Sequence, residues 1–217
     1  MLTVFLYQIH SLRLIINTIL PNKNISHFVH SFWMLENKTG KEIPSTVLSN
    51  GMVDMIAHKT NTDNWQTVIR GIDTEPSQVK IENGTKMFSI GLKLLAVEYL
   101  LGDSIKDVLN IGKNTSNDFW KFNGNDFSSL KNFSNKTTKK SLSITHIDNR
   151  KKKLFELIYS SHGSITVKEL SEEVYWSSRQ INRYFNDQFG ISLKTYCNIL
   201  RVGESFKHIS EGKLYPE

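Results

Sequence analysis

The chain has 217 residues, 39% of them hydrophobic, only four prolines and a formal net charge of +6. That suits a globular protein with enough length for a packed core in one or two domains. A single cysteine, Cys197, excludes an intrachain disulfide and a thiolate-rich zinc site, and it fits a reducing cytoplasm.

The first twenty residues, MLTVFLYQIHSLRLIINTIL, are apolar but lack a basic leading region and a small-residue cleavage site. Gln8, His10 and Arg13 interrupt them, so they read as a strand or helix packed on the domain, not as a targeting segment. No other stretch approaches the roughly 18 uninterrupted apolar residues that a membrane helix requires. A soluble, cytoplasmic protein is expected.

Residues 21 to 93 read as a meander of strands. Phe28 to Leu35 is aromatic and β-branched. Thr46-Val47-Leu48 precedes Ser49-Asn50-Gly51, after which Met52 to Ala57 resumes the pattern. Asn-Gly between apolar runs is a hairpin signal, because both turn residues tolerate positive φ. The device recurs at Asn83-Gly84, between Gln78–Ile81 and Lys86–Ile90. Thr67-Val68-Ile69 adds a strand that Gly71 ends, and Leu94 to Leu101 favours a short helix closed by Gly102. Trp33, Trp65 and Trp120 fit core positions better than a pocket lining. His27 and His30, three apart on an expected strand, point to opposite faces and make no ligand pair. Asp54 fits a structural carboxylate or an effector contact, and the structural role is the stronger reading.

Residues 131 to 149, KNFSNKTTKKSLSITHIDN, are polar and almost free of large apolar groups, and they read as a linker. Charge concentrates here. Residues 131 to 153 hold eight Lys or Arg against Asp148, whereas residues 1 to 130 are neutral and residues 154 to 217 carry seven basic and eight acidic groups. Such an arm would attract phosphate without sequence preference; equally, it would serve as a solvated linker.

Arg150 to Ser161 then forms a helix with Gly163 as its stop. Two helix-start signals follow. Thr166-Val167-Lys168-Glu169 is a capping box, and Ser177-Ser178-Arg179-Gln180 repeats it eleven residues later. Only Tyr175-Trp176 separates Val174 from the second cap, which predicts a helix-turn-helix. In the second helix, about Ser178 to Phe189, Ile181, Tyr184, Phe185 and Phe189 share the buried face. Arg179, Asn182, Arg183 and Asn186 fall on the opposite stripe. Arg can donate twice to guanine, and Asn can pair donor and acceptor with adenine. Ser192 caps the next helix, in which Gly203 costs roughly 1 kcal/mol of propensity and predicts fraying. Arg201 could meet phosphate or cap a carbonyl.

These residues resemble the DNA-binding domain of AraC/XylS-type transcriptional regulators. The match runs through Leu170 with Val174, Ser177, the Gln180–Phe185 core, Phe189-Gly190-Ile191-Ser192, Tyr196, Leu200-Arg201 and the Gly212–Pro216 exit. The resemblance implies base contacts from Arg179, Asn182 and Arg183, and phosphate contacts from Ser177 and Ser178; Lys194 is assigned to phosphate beside them. The segments HFVHSFWML, VLSNGMVDMIA, VIRGIDTEP and SIGLKLLAVEYLLG are similar to the N-terminal domain of a subset of that family. Two positions depart from its pattern: Ser49-Asn50 stands where the family has Pro-Asp, and apolar residues around Ala96 replace a Pro-Gly.

The expectation is therefore an α+β chain. A mainly antiparallel β domain over residues 1–130 would sense or dimerise. A basic linker over 131–149 would lead to an all-α helix-turn-helix domain over 150–217, bound to double-stranded DNA. A small-molecule effector on the first domain and a homodimer are compatible with this reading. No catalytic constellation, metal site or cofactor motif can be assembled, so an enzyme is not expected. The family pattern continues with a second helix-turn-helix where this sequence stops at Glu217, so weak, salt-sensitive DNA binding is expected unless the chain dimerises. The competing reading is a ligand-binding or protein-interaction module with a half reader.

Overall fold

A computed structural model describes residues 4–5, 14–59, 64–116 and 118–210. It is an α+β fold in which nine described strands precede five α-helices. The strands are β1 (Val4–Phe5), β2 (Leu14–Ile19), β3 (Val29–Asn37), β4 (Ile43–Val47), β5 (Val53–Lys59), β6 (Trp65–Arg70), β7 (Ser77–Ile81), β8 (Lys86–Leu92) and β9 (Gly112–Asn114). They form two antiparallel sheets, a small one of order β1-β4-β7 and a larger one of order β2-β3-β8-β5-β6-β9.

The central strands of the larger sheet, β3 and β8, are largely buried, which explains the near-continuous apolar run of β3, while its outer strands β2, β6 and β9 are half-buried or exposed. One face meets the small sheet, where Trp33 and Leu35 pack against Ile43 and Ile81. Phe32, Met55, Phe88 and Ile90, on the other face, enter the main core. The two Asn-Gly turns form as turns, with Gly51 at φ +72° and Gly84 at φ +82°. Neither closes a hairpin. β4 and β7 pair with each other, whereas β5 and β8 lie in the other sheet, so both turns carry the chain between sheets. The left-handed glycine fixes a local reversal but says nothing about which strand the chain pairs with next.

Helix α1 (Leu130–Leu142) replaces the linker expected over residues 131–149 for most of its length, and residues 143–148 lie outside helices. Ser129 caps it, accepting from the Asn132 amide, and its inner face is Leu130, Phe133, Ser134, Thr137 and Ser141. Three of those five are small hydroxyl residues. They are tolerated inside because Thr137 donates to the Phe133 carbonyl (3.2 Å) and Ser141 to the Thr137 carbonyl (3.0 Å). Phe133 reaches Phe88 of the larger sheet, with ring centroids 5.4 Å apart.

The remaining helices are α2 (Asn149–Ser160), α3 (Val167–Val174), α4 (Ser178–Phe189) and α5 (Leu193–Ser210). Each starts at a side-chain cap: Thr166, Ser177 and Ser192 as the sequence places them, and Asp148 for α2. Gly163, at φ +76°, stops α2, and a Cβ there would lie 2.5 Å from the Cys197 carbonyl oxygen. Arg201 donates to the Gly163 carbonyl at 2.6 Å, which decides its role as a carbonyl cap. α5 continues through Gly203, where a Cβ would lie 3.6 Å from the Ser49 carbonyl oxygen.

The β and helical halves share one core cluster, from Ile25 to Ile199. A directed chain of hydrogen bonds crosses their junction. The Leu94 amide donates to the Tyr159 hydroxyl (3.0 Å), and the Tyr196 hydroxyl donates to the Gly51 carbonyl (2.9 Å). The Tyr159 and Tyr196 oxygens are 2.9 Å apart. Since the single Tyr196 proton goes to Gly51, the Tyr159 proton points at Tyr196. Further links are the Ile105 amide to the Gln188 carbonyl, Tyr184 to Glu98, and Lys151 to Glu98.

Candidate functional site

Helices α3 and α4 are joined by Tyr175 and Trp176 leading into Ser177. Tyr175 is left-handed at φ +55° and 87% exposed. Both capping boxes are complete. Thr166 accepts from the Glu169 amide while the Glu169 carboxylate accepts from the Thr166 amide, which also holds that carboxyl below its ordinary pKa. Ser177 and Gln180 repeat the exchange. Ile181, Phe185 and Phe189 are buried, and Tyr184 is half-buried beneath Trp176 and against Glu98.

The opposite stripe faces outward. Arg179, Arg183 and Asn186 are exposed, and neither arginine has an acidic partner among the described residues. Asn182 is half-buried, and its Nδ2 donates to the Ser178 carbonyl at 2.9 Å. To present its amide to a ligand it must give up that bond. The Ser177 hydroxyl is likewise committed to Gln180, so at this end the available donors are the first-turn amides of Ser178 and Arg179. Lys194 is exposed on the first turn of α5. The β half docks on the C-terminal end of α4, through Ile105 and Ser104 on the Asp187 and Gln188 carbonyls. The outward stripe stays clear of that contact.

The basic segment divides in two. Arg150 pairs with Asp148, Lys151 with Glu98, Lys152 with Glu156 and Lys153 with Glu173. The remaining lysines, Lys131, Lys136, Lys139 and Lys140, lie on α1, with no ion pair among the described residues.

A second feature lies between the sheets. A cavity of about 190 Å³ is walled by Leu35, Ile56, Val79, Ile81 and Met87. Its polar end holds Trp33, Asp54, Arg70 and Asp73. Arg70 forms a two-pronged pair with Asp73 (2.9 and 2.7 Å), and among the described residues the Ser89 hydroxyl is the donor left to the Asp54 carboxylate (3.1 Å). Burial pushes the Asp54 carboxyl up to about 6; the Ser89 bond, Arg70 and the nearby Trp33 indole favour its charge but do not offset the desolvation, and Asp73 adds to the rise. The Trp33 Nε1 is close enough to be felt by that carboxylate, yet it makes no hydrogen bond. Trp33 is thus a buried core residue that also walls the cavity, whereas half-buried Trp65 stacks on Phe127 and Trp120 on Phe119. The sequence signal that was available was Asp54 itself, a carboxylate in an apolar strand.

His27 does not lie on a strand. It sits in the turn before β3 against the Phe28 ring, and burial together with Lys152 and Lys93 pushes its pKa down. Among the described residues no group of three His, Cys, Asp or Glu could hold a metal, and no helix is long and apolar enough to cross a membrane.

A family model described as a domain of unknown function, DUF6597, matches residues 17–111, which spans β2 through the loop before β9. No curated protein and no solved structure gives a significant match.

Proposed function

We propose that the chain is a sequence-specific DNA-binding transcriptional regulator of the AraC type, acting in the cytoplasm, with α4 in the major groove. The observation that carries this reading is the stripe of Arg179, Arg183 and Asn186, exposed on a doubly capped helix whose opposite face is buried. Arg179 and Arg183 reach guanine edges. Asn182 reads a base after releasing the Ser178 carbonyl. The free amides at Ser178 and Arg179 meet phosphate, as the N-terminus of a helix does, with Ser177 placing them and Lys194 adding a flanking phosphate contact. The lysines of α1, without an ion pair among the described residues, supply the salt-sensitive attraction.

Selection of bound genomic fragments by the full chain, followed by titration of the enriched sequence and a scrambled one, tests the reading. Arg179→Ala and Arg183→Ala should each weaken cognate binding by about 1–3 kcal/mol and relax discrimination. A second reading, a ligand-binding module whose helical half does not read DNA, is favoured by the cavity between the sheets. It predicts no enrichment of any sequence.

A further inference from the structure

The cavity between the sheets has a polar end and a mainly aliphatic wall, to which Asn50 and Lys80 also contribute. Its aliphatic side chains come from both sheets, Leu35, Ile56 and Met87 from the larger and Val79 and Ile81 from the smaller, so a bound molecule would be gripped by two layers. A cavity of roughly 150 Å³ lined by such side chains admits a molecule the size of benzene. At about 190 Å³ this one admits a branched aliphatic group with a short polar tail.

The polar end specifies more. Arg70 and Asp73 neutralise each other, and Lys80 at the rim pairs with Glu42. Asp54 is then left as an uncompensated carboxylate inside, beside a Trp33 ring that is only 6% exposed and whose N–H lacks an acceptor. A group that donates to Asp54 and accepts from Trp33 would satisfy both, and a positive charge would be favoured over a neutral or negative one. We infer that this cavity binds a small aliphatic monocation carrying an ammonium and a neighbouring neutral oxygen, as an amino alcohol does, with the ammonium on Asp54 and the oxygen on the Trp33 N–H. The site is independent of the DNA-binding reading and is testable without DNA.

The test is calorimetric titration of the full chain at pH 7.5 with L-leucinol, 4-methylpentan-1-ol, isoamylamine and L-leucine. Leucinol should bind at least tenfold more tightly than the alcohol, which lacks the ammonium, and than leucine, whose carboxylate adds a negative charge. It should also exceed isoamylamine, which lacks the oxygen. Asp54→Asn should erase the preference over the alcohol, and Trp33→Phe the preference over isoamylamine. Val79→Phe, which fills the cavity, should abolish binding while the melting temperature is kept, so that loss of binding is separable from loss of fold. Absence of leucinol binding to the folded chain overturns the inference, as does equal binding of the alcohol or an undiminished preference in folded Asp54→Asn.

Discussion

Tyr196→Phe is expected to cost far more than one hydroxyl group on the surface would. The Tyr196 side chain is fully buried at the junction of the β and helical halves. Its proton satisfies the Gly51 carbonyl and its oxygen receives the Tyr159 proton, so removing that one oxygen strands two buried groups. Burial pushes the Tyr159 phenol up to about 12, although its hydrogen bonds with Tyr196 and the Leu94 amide act in the other direction, so its proton stays in place throughout the ordinary range and cannot be shed to relieve the loss. A buried group left without its partner costs about 1–3 kcal/mol. Two such groups, with the ring packing preserved, give about 2–6 kcal/mol. Equilibrium urea unfolding, followed by far-ultraviolet circular dichroism and tryptophan fluorescence, measures it. Tyr159→Phe strands the Leu94 amide differently, by removing an acceptor oxygen. The double variant should therefore cost clearly less than the sum of the two, as groups in one network do. A Tyr196→Phe loss below about 0.5 kcal/mol, or strict additivity, would refute the hydrogen-bond chain.

Two further effects can be read on the folded chain. Ser177→Ala removes the acceptor for the Gln180 amide and should destabilise by about 1 kcal/mol, with Ser177→Gly costing less; equal losses would mean that the cap does not act through its hydroxyl. Asp54 binds its proton more tightly folded than unfolded, since its carboxyl is pushed from 3.8 up to about 6. Its contribution to stability is therefore full below the ordinary carboxylate range and is lost as pH rises through about 6. Because the residue is partly accessible, about 2 kcal/mol is expected between pH 4 and pH 7, and Asp54→Asn should flatten that part of the stability profile; an unchanged profile would contradict the assignment.

Much of this molecule was legible because its signals are local. Thr166 with Glu169 and Ser177 with Gln180 place α3 and α4, and the period of Ile181, Phe185 and Phe189 gives the buried face directly. α1 was hidden by its chemistry. Its inner face is built partly from Ser134, Thr137 and Ser141, which look like solvent positions until their hydroxyls are seen bonded to the preceding helical turn. The Asn-Gly turns announced reversals at residues 50–51 and 83–84 but not that each crosses between sheets, because pairing depends on distant strands. The cavity was out of reach for the same reason. Trp33, Asp54 and Val79 come from three strands in two sheets, and no spacing along the chain brings them together.

The central claim rests on the outward stripe of α4. The direct measurement is the affinity of the full chain for its selected DNA against a scrambled duplex at several salt concentrations, repeated for Arg179→Ala and Arg183→Ala. The account predicts that the wild-type chain prefers the selected sequence, that both duplexes are bound less tightly as salt rises, and that each variant loses about 1–3 kcal/mol of that preference while keeping its fold. Equal affinity of the wild-type chain for both duplexes, or full discrimination retained by both variants, would contradict it.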